Sequence, residues 1–143
     1  MIREFIFGDQ KAIALLEEEC FITPWSERAI LDSYNNSTLF LLFEEEGEIL
    51  GYVGLQIVLD EGYITNVAVT KKARKRGVGS ALISRLKEVA KEKGLRFISL
   101  EVRKSNAAAI ALYEKQGFKA AGLRKNFYSH PTEDGLIMTT EGF

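Results

Sequence analysis

The stretch VAVTKKARKRGVGSALI, residues 67–83, passes from β-branched residues through a basic run and two glycines into a helical pattern. Val67, Ala68 and Val69 end a predicted strand, YITNVAV (63–69). Val78, Leu82, Ile83, Leu86, Val89 and Ala90 then recur at helical spacing, and Gly94 stops the helix. LRFISLEV (95–102) reads as a second strand, so residues 63–102 form a β-α-β unit. Such a crossover is right-handed and makes its strands parallel. Ligands in parallel sheets bind beyond the carboxyl ends of the strands, beside the following helix N-terminus. The region after Val69 and around Glu101 is therefore the candidate site.

Upstream, EFIF (4–7) is a short strand, and Asp9 caps a helix carrying Ile13, Leu16 and Cys20. TPWSERAILDSY (23–34) is a loop and a short helix capped by Ser26. TLFLLF (38–43) and EILGYVGLQIVL (48–59) form a hairpin turning at Gly47. Downstream, SNAAAIALYEKQGF (105–118) is a helix capped by Ser105 or Asn106 and ended by Gly117. FKAAGL (118–123) and GLIMTT (135–140) are closing strands. The whole predicts one α/β domain over 1–143, a mixed central β-sheet with flanking helices. The helix at 105–118 is unusual: Ala107 to Tyr113 are apolar in every direction, whereas a surface helix keeps a polar face.

Composition narrows the function. The 143 residues carry a formal net charge of −1, without the basic excess of a dedicated nucleic-acid binder. One cysteine, Cys20, allows no internal disulfide and offers no metal-ligand cluster. Charges begin at Arg3 and Glu4, and the longest early apolar run is LFLLF (39–43), which predicts neither a secretory leader nor a membrane span. A cytoplasmic protein without a metal, a nucleic-acid partner or a membrane is the expectation; the oligomeric state is not legible.

Gly77 and Gly79 let the backbone turn tightly and bring N–H groups to an anion at a positive helix end. Arg74, Lys75 and Arg76 add charge there. A basic run is often only a solvated loop, and a nucleic-acid patch would interleave aromatic residues, which are missing. The order strand, basic loop, G-x-G, helix favours an anion cradle, in neither the Rossmann nor the Walker spacing.

These residues resemble the acyl-CoA-binding segment of the GNAT family of N-acetyltransferases, Arg/Gln-x-x-Gly-x-Gly/Ala, matched by Arg74, Gly77 and Gly79. The resemblance implies that Arg74, Lys75, Arg76, Gly77, Val78, Gly79 and Ser80 wrap the pyrophosphate of acetyl-CoA. It also implies that Val67, Ala68 and Val69 hydrogen-bond the pantetheine arm and that Asn106 lies near the cofactor. Lys71 stands where many members have proline. LEVRKSNAAAIALYEKQGF (100–118), PWS (24–26), VLDE (58–61) and RKNFY (124–128) are similar to the RimI type of the family, with Phe127 in place of a commoner tyrosine and Gly135 in place of alanine.

That type implies acetyl transfer from acetyl-CoA to the α-amine of an N-terminal alanine of a small-subunit ribosomal protein. Glu101 would be the general base and Tyr113 the general acid, with Trp25 and Tyr128 at the acceptor peptide. The backbone N–H groups at the end of the VAV strand would serve the oxyanion. Glu101 near the end of its strand and Tyr113 roughly 10 Å along the next helix would flank a substrate. The open alternatives are acetylation of a small amine or of another protein N-terminus, and a non-catalytic acetyl-CoA-binding module. Without the resemblance, Glu101 reads as a solvated strand-end carboxylate, Tyr113 as a core aromatic and Trp25 as loop packing. His130 reads as a solvated loop residue and the EEE runs at 17–19 and 44–46 as solvated faces. Asp60, Glu61 and Glu101 are candidates to complement a basic peptide at the groove mouth.

Overall fold

The structure, a computed structural model, describes residues 1–143. The elements run β1 (Ile2–Glu4), α1 (Gln10–Cys20), α2 (Glu27–Asn35), β2 (Thr38–Glu45), β3 (Glu48–Val58), β4 (Glu61–Val69), a 3₁₀ turn (Lys71–Ala73), α3 (Val78–Glu92), β5 (Phe97–Arg103), α4 (Ala107–Lys115), β6 (Lys119–Tyr128) and β7 (Glu133–Glu141). Seven strands form one mixed sheet in the order β1-β2-β3-β4-β5-β7-β6, in which only β4 and β5 pair in parallel. The expected mixed α/β architecture with a central parallel unit is what the chain adopts. No helix is long and apolar enough to cross a membrane.

The sheet separates two apolar clusters. Leu82, Ile83 and Leu86 of α3 are fully buried with Val53, Leu55, Ile98, Leu100 and Val102 from the strands. Each such side chain contributes about 1.5–3 kcal/mol of transfer free energy. On the opposite face Ile13, Leu16 and Ile30 of α1 and α2 pack on Phe40, Leu42, Tyr52 and Ala68. Ser26 caps α2 by accepting from the Ala29 N–H at 3.1 Å. Asn106, and not Ser105, caps α4, accepting from Ala109 N–H at 3.2 Å.

Three local expectations are corrected. β1 spans Ile2–Glu4, and Ile6 and Phe7 are exposed beyond it. Asp9 occupies the N-cap position of α1 but does not cap it. Its carboxylate accepts from both terminal nitrogens of Arg3 (2.8 and 3.0 Å) and from Ile6 N–H (2.8 Å), so it ties the helix entry back to β1. That hydrogen-bonded guanidinium holds the Asp9 carboxyl below the usual carboxylate range. The EEE runs are solvated faces only in part: Glu18, Glu19, Glu45 and Glu46 are exposed, and the first residue of each run is not. Glu17 is buried, Glu44 pairs with Arg3 and Glu45 with Arg76.

What positions the site is a failure of pairing. β4 and β5 are joined at three register positions only, Glu61↔Phe97, Gly62↔Ile98 and Tyr63↔Ser99. Beyond them β4 carries a bulge: the register with β3 moves from Leu55↔Ile64 to Gly54↔Asn66, which leaves Thr65 extra. A bulge bends its strand and sharpens its twist. Gly54 stands opposite because a Cβ there would lie 2.5 Å from Thr65 Oγ1. The two parallel strands then part, opening a gap at their carboxyl ends.

Candidate active site

The β4 side of the gap is lined by Val67–Val69. Thr70 N–H donates to the Leu50 carbonyl (2.9 Å), so the alternation of a strand turns the N–H and C=O of Val67 and Val69 away from β3, toward the side that β5 has left. The Val69 carbonyl accepts from Arg74 Nε (3.2 Å) and from the Cys20 thiol (3.5 Å). Ala68 is buried on the α1–α2 face, and Val67 and Val69 pack partly into the α3 cluster.

The loop that follows is pinned from outside. Glu19 accepts from Lys71 N–H (2.6 Å) and Thr70 Oγ1 (2.9 Å), and the backbone bond holds its carboxyl below the ordinary range. Lys72 pairs with Glu48, and Arg76 donates to both oxygens of Glu45 (2.9 and 3.0 Å). Lys75 is exposed at φ +65°. Gly77, at φ +83°, adopts the left-handed conformation that starts α3 with no side-chain cap. The N–H groups of Val78, Gly79 and Ser80 in that first turn are the orphan donors of a helix N-terminus. Ser80 Oγ faces α4 and accepts from Gln116 Nε2 at 2.7 Å. A Cβ on Gly79 would meet Leu112 Cδ2 at 3.3 Å, so this glycine sets how closely α3 and α4 approach.

Helix α4 is apolar all round, and only one side of it is packed. Tyr113 is buried and Ala109, Ile110 and Leu112 lie against the core, while Ala107, Ala108 and Ala111 are exposed. Those small side chains, the unbonded strand edge and the uncapped α3 turn fit an extended apolar arm ending in a phosphate-type anion.

Glu101 and Tyr113 belong to different faces of the sheet. Leu100 and Val102 pack into the α3 cluster, so Glu101 between them points to the other face. One of its oxygens stands 3.3 Å from Arg124 Nε, and the other, Oε2, is buried with no partner. Tyr113 comes from the α3 side, its ring 5.7 Å from that of Phe118. Burial, with a smaller contribution from Tyr128, pushes its hydroxyl up to about 12. Tyr128 is half-buried between the two, and burial followed by the nearby Glu101 charge raises its own hydroxyl.

The other expected residues scatter. Trp25 packs partly against the α1–α2 cluster, its backbone N–H donating to Glu17 Oε1 at 2.9 Å. Asp60 and Glu61 do not flank the gap: both bind Arg96 (3.0 and 3.1 Å) at the opposite end of β4. His130 is exposed in the β6–β7 turn. Phe127 and Gly135 are coupled, since a Cβ on Gly135 would lie 3.2 Å from the Phe127 ring. Sequence reasoning missed Glu17, whose carboxylate gathers Tyr52 OH (2.6 Å), Asn66 Nδ2 (3.0 Å) and Trp25 N–H beneath the bulge. Its buried i, i+3, i+4 position with Ile13, Ala14 and Leu16 was the available signal.

A family model described as Acetyltransferase (GNAT) family matches residues 10–118. The ribosomal protein bS18-alanine N-acetyltransferase of Escherichia coli (strain K12) is 37% identical over 127 residues, covering 89% of this chain and 84% of that protein. The enzyme of the same name from Haemophilus influenzae is 35% identical over 126 residues, with 86% of each chain covered. The crystal structure of the ribosomal-protein-S18-alanine N-acetyltransferase from Escherichia coli superposes with a TM-score of 0.92 at 34% identity, over 99% of this chain and 92% of that one.

Proposed function

The chain belongs to the GNAT family of acetyltransferases and is an acetyl-CoA-dependent N-acetyltransferase, and from that premise we propose that it acetylates the α-amine of an N-terminal alanine on a small-subunit ribosomal protein. The observation that carries the reading is the gap between β4 and β5. Glu101, with its unpartnered oxygen, stands on one face of the sheet just beyond the last paired position, and Tyr113 belongs to the apolar cluster on the other face. A cofactor arm and an acceptor peptide can enter such a gap from opposite sides.

Glu101, acting through water, takes a proton from the acceptor ammonium, so that a neutral nitrogen attacks the thioester carbonyl carbon. The free N–H groups of Val67 and Val69 stabilise the carbonyl oxygen as it gains charge. Tyr113, protonated throughout the physiological range, gives its proton to the sulfur as the carbon–sulfur bond breaks. The nitrogen, cationic once it has attacked, loses its second proton to solvent as the intermediate collapses; solvent also returns a proton to Tyr113 and removes one from Glu101. Arg74, Lys75 and the first turn of α3 (Gly77 to Ser80) hold the pyrophosphate, with Arg76 at its edge and Asn106 beside the arm. Trp25 and Tyr128 line the acceptor.

The acceptor class follows from acidity. A peptide α-amine has a pKa of ≈ 7.7–8.0 against ≈ 10.4 for lysine, so at pH 7 roughly a tenth of the former is already neutral. One carboxylate suffices for that task. Incubation with acetyl-CoA and a panel of peptides and small amines, read by mass and fragmentation, tests the proposal. A single acetyl on the α-amine of an alanine-starting peptide supports it; a label on lysine, or faster reaction of a polyamine, overturns it.

A further inference from the structure

The acceptor side of the gap ends in a segment that the sheet does not hold. β6 pairs with β7 at Arg124↔Gly135 and next at Tyr128↔Glu133, so residues 125–127 bulge out of the ladder opposite a single β7 residue. Asn126 (φ +54°) and His130 (φ +58°) turn the chain sharply on either side of Tyr128. With ladder bonds missing there, something else must fix the ring.

Arg103, the last residue of β5, supplies it. Its Nη2 donates to the Ser129 carbonyl (2.9 Å) and its Nη1 to the Pro131 carbonyl (2.9 Å). Nη1 also lies 3.4 Å from Glu133 Oε1, and the guanidinium carbon sits 4.7 Å from the centre of the Tyr128 ring. Glu133 in turn accepts from Ser105 N–H at 2.7 Å, which ties the same cluster to the start of α4. Arg103 is two residues from Glu101 on one strand and so shares its face. A planar guanidinium can serve two carbonyls, a carboxylate and an aromatic face at once; a lysine ammonium cannot.

We propose that Arg103 is a positioning residue for acceptor recognition. It sets where the Tyr128 ring stands and thereby how the first residue of the acceptor is received beside Glu101. The inference rests on the acceptor-side role given to Tyr128 above. Arg103 touches none of the residues assigned to the pyrophosphate, so its loss acts chiefly on the acceptor.

Arg103→Gln and Arg103→Lys are compared with wild type by hydrogen exchange and by steady-state kinetics. Exchange should accelerate in residues 126–133 and stay unchanged in α3 and β3, in both variants. The KM for an alanine-starting peptide should rise about tenfold, the equivalent of one lost charge-assisted contact, with the KM for acetyl-CoA unmoved. Adding Arg103→Gln to Tyr128→Ala should cost nothing beyond Tyr128→Ala alone. Unchanged exchange in 126–133 in both variants overturns the proposal, and that measurement needs no substrate. Losses that add fully in the double variant overturn it too. If the peptide is no substrate but the exchange pattern is as expected, Arg103 still positions the segment, and the assigned acceptor is what fails.

Discussion

Thr65 and Glu101 each lie two residues beyond Tyr63↔Ser99, the last position at which their parallel strands pair, and each carries a buried oxygen without a partner. Buried polar atoms are nearly always satisfied, so such orphans mark a place where the fold serves something other than its own stability. Here the cause is local. A bulge opens the sheet between its two central strands, and the side chains along the opening lose the neighbours that a continuous ladder would give them.

Glu101→Gln keeps the shape of the side chain and removes its basicity. Turnover with an alanine-starting peptide should fall about 10²–10⁴-fold, as for loss of a general base. Thermal stability should change little, because the buried Oε2 has no protein partner to lose and the pair between Oε1 and the exposed Arg124 is worth at most about 1 kcal/mol. Kinetics and a melting curve on the same preparation check both parts. An unchanged rate would remove Glu101 from the chemistry.

Tyr113→Phe should lower turnover by a similar factor while acetyl-CoA still raises the melting temperature. Its alkaline behaviour is a second readout. The folded hydroxyl is raised from the ordinary 10 to about 12, so its contribution to stability is fully present below pH 10 and is lost as pH rises toward 12. Wild type should therefore lose stability relative to Tyr113→Phe across that window, which urea unfolding of the two proteins at a series of alkaline pH values checks.

Gly79 faces Leu112 across the α3–α4 contact, and a Cβ there is already tight at 3.3 Å. Gly79→Glu adds bulk and negative charge beside the free N–H groups of the first turn. The thermal stabilisation by acetyl-CoA seen in wild type should disappear. Equal stabilisation of both proteins would move the anion site elsewhere.

Much of this arrangement was legible in the sequence because it depends on period and punctuation. The α3 stripe, the glycines after α3 and α4, the Ser26 cap and the β-α-β order all follow from spacing within a few residues. The bulge was not legible. Up to Ile64 the even-numbered residues of β4 face α3, and after Thr65 the odd-numbered Val67 and Val69 do. YITNVAV reads as one uninterrupted strand because every residue in it suits either face. The Arg103 cluster escaped for a different reason: its partners lie 26 to 30 residues away, in a turn whose sequence shows only that it is polar. Asp60 and Glu61 were misplaced because charge alone does not say which end of a strand it occupies.

Glu17, Glu18 and Glu19 are three identical side chains in a row that the fold treats differently. Glu18 is exposed, Glu19 clasps the loop after β4, and Glu17 is 1% exposed with three donors on its carboxylate. Glu17→Ala would leave Tyr52 OH, Asn66 Nδ2 and Trp25 N–H without an acceptor. Hydrogen bonds to a charged group are worth about 1.5–3 kcal/mol each, and neighbouring losses are not additive, so the variant should lose about 3–5 kcal/mol. That is a large share of the ~5–15 kcal/mol that holds a domain folded. Tyr52→Phe removes one of the three bonds and should cost less. Glu18→Ala should stay within about 0.5 kcal/mol of wild type. Urea unfolding of the three variants gives the ranking directly. A Glu17→Ala protein as stable as Glu18→Ala would mean that the buried carboxylate does not hold the bulged strand in place.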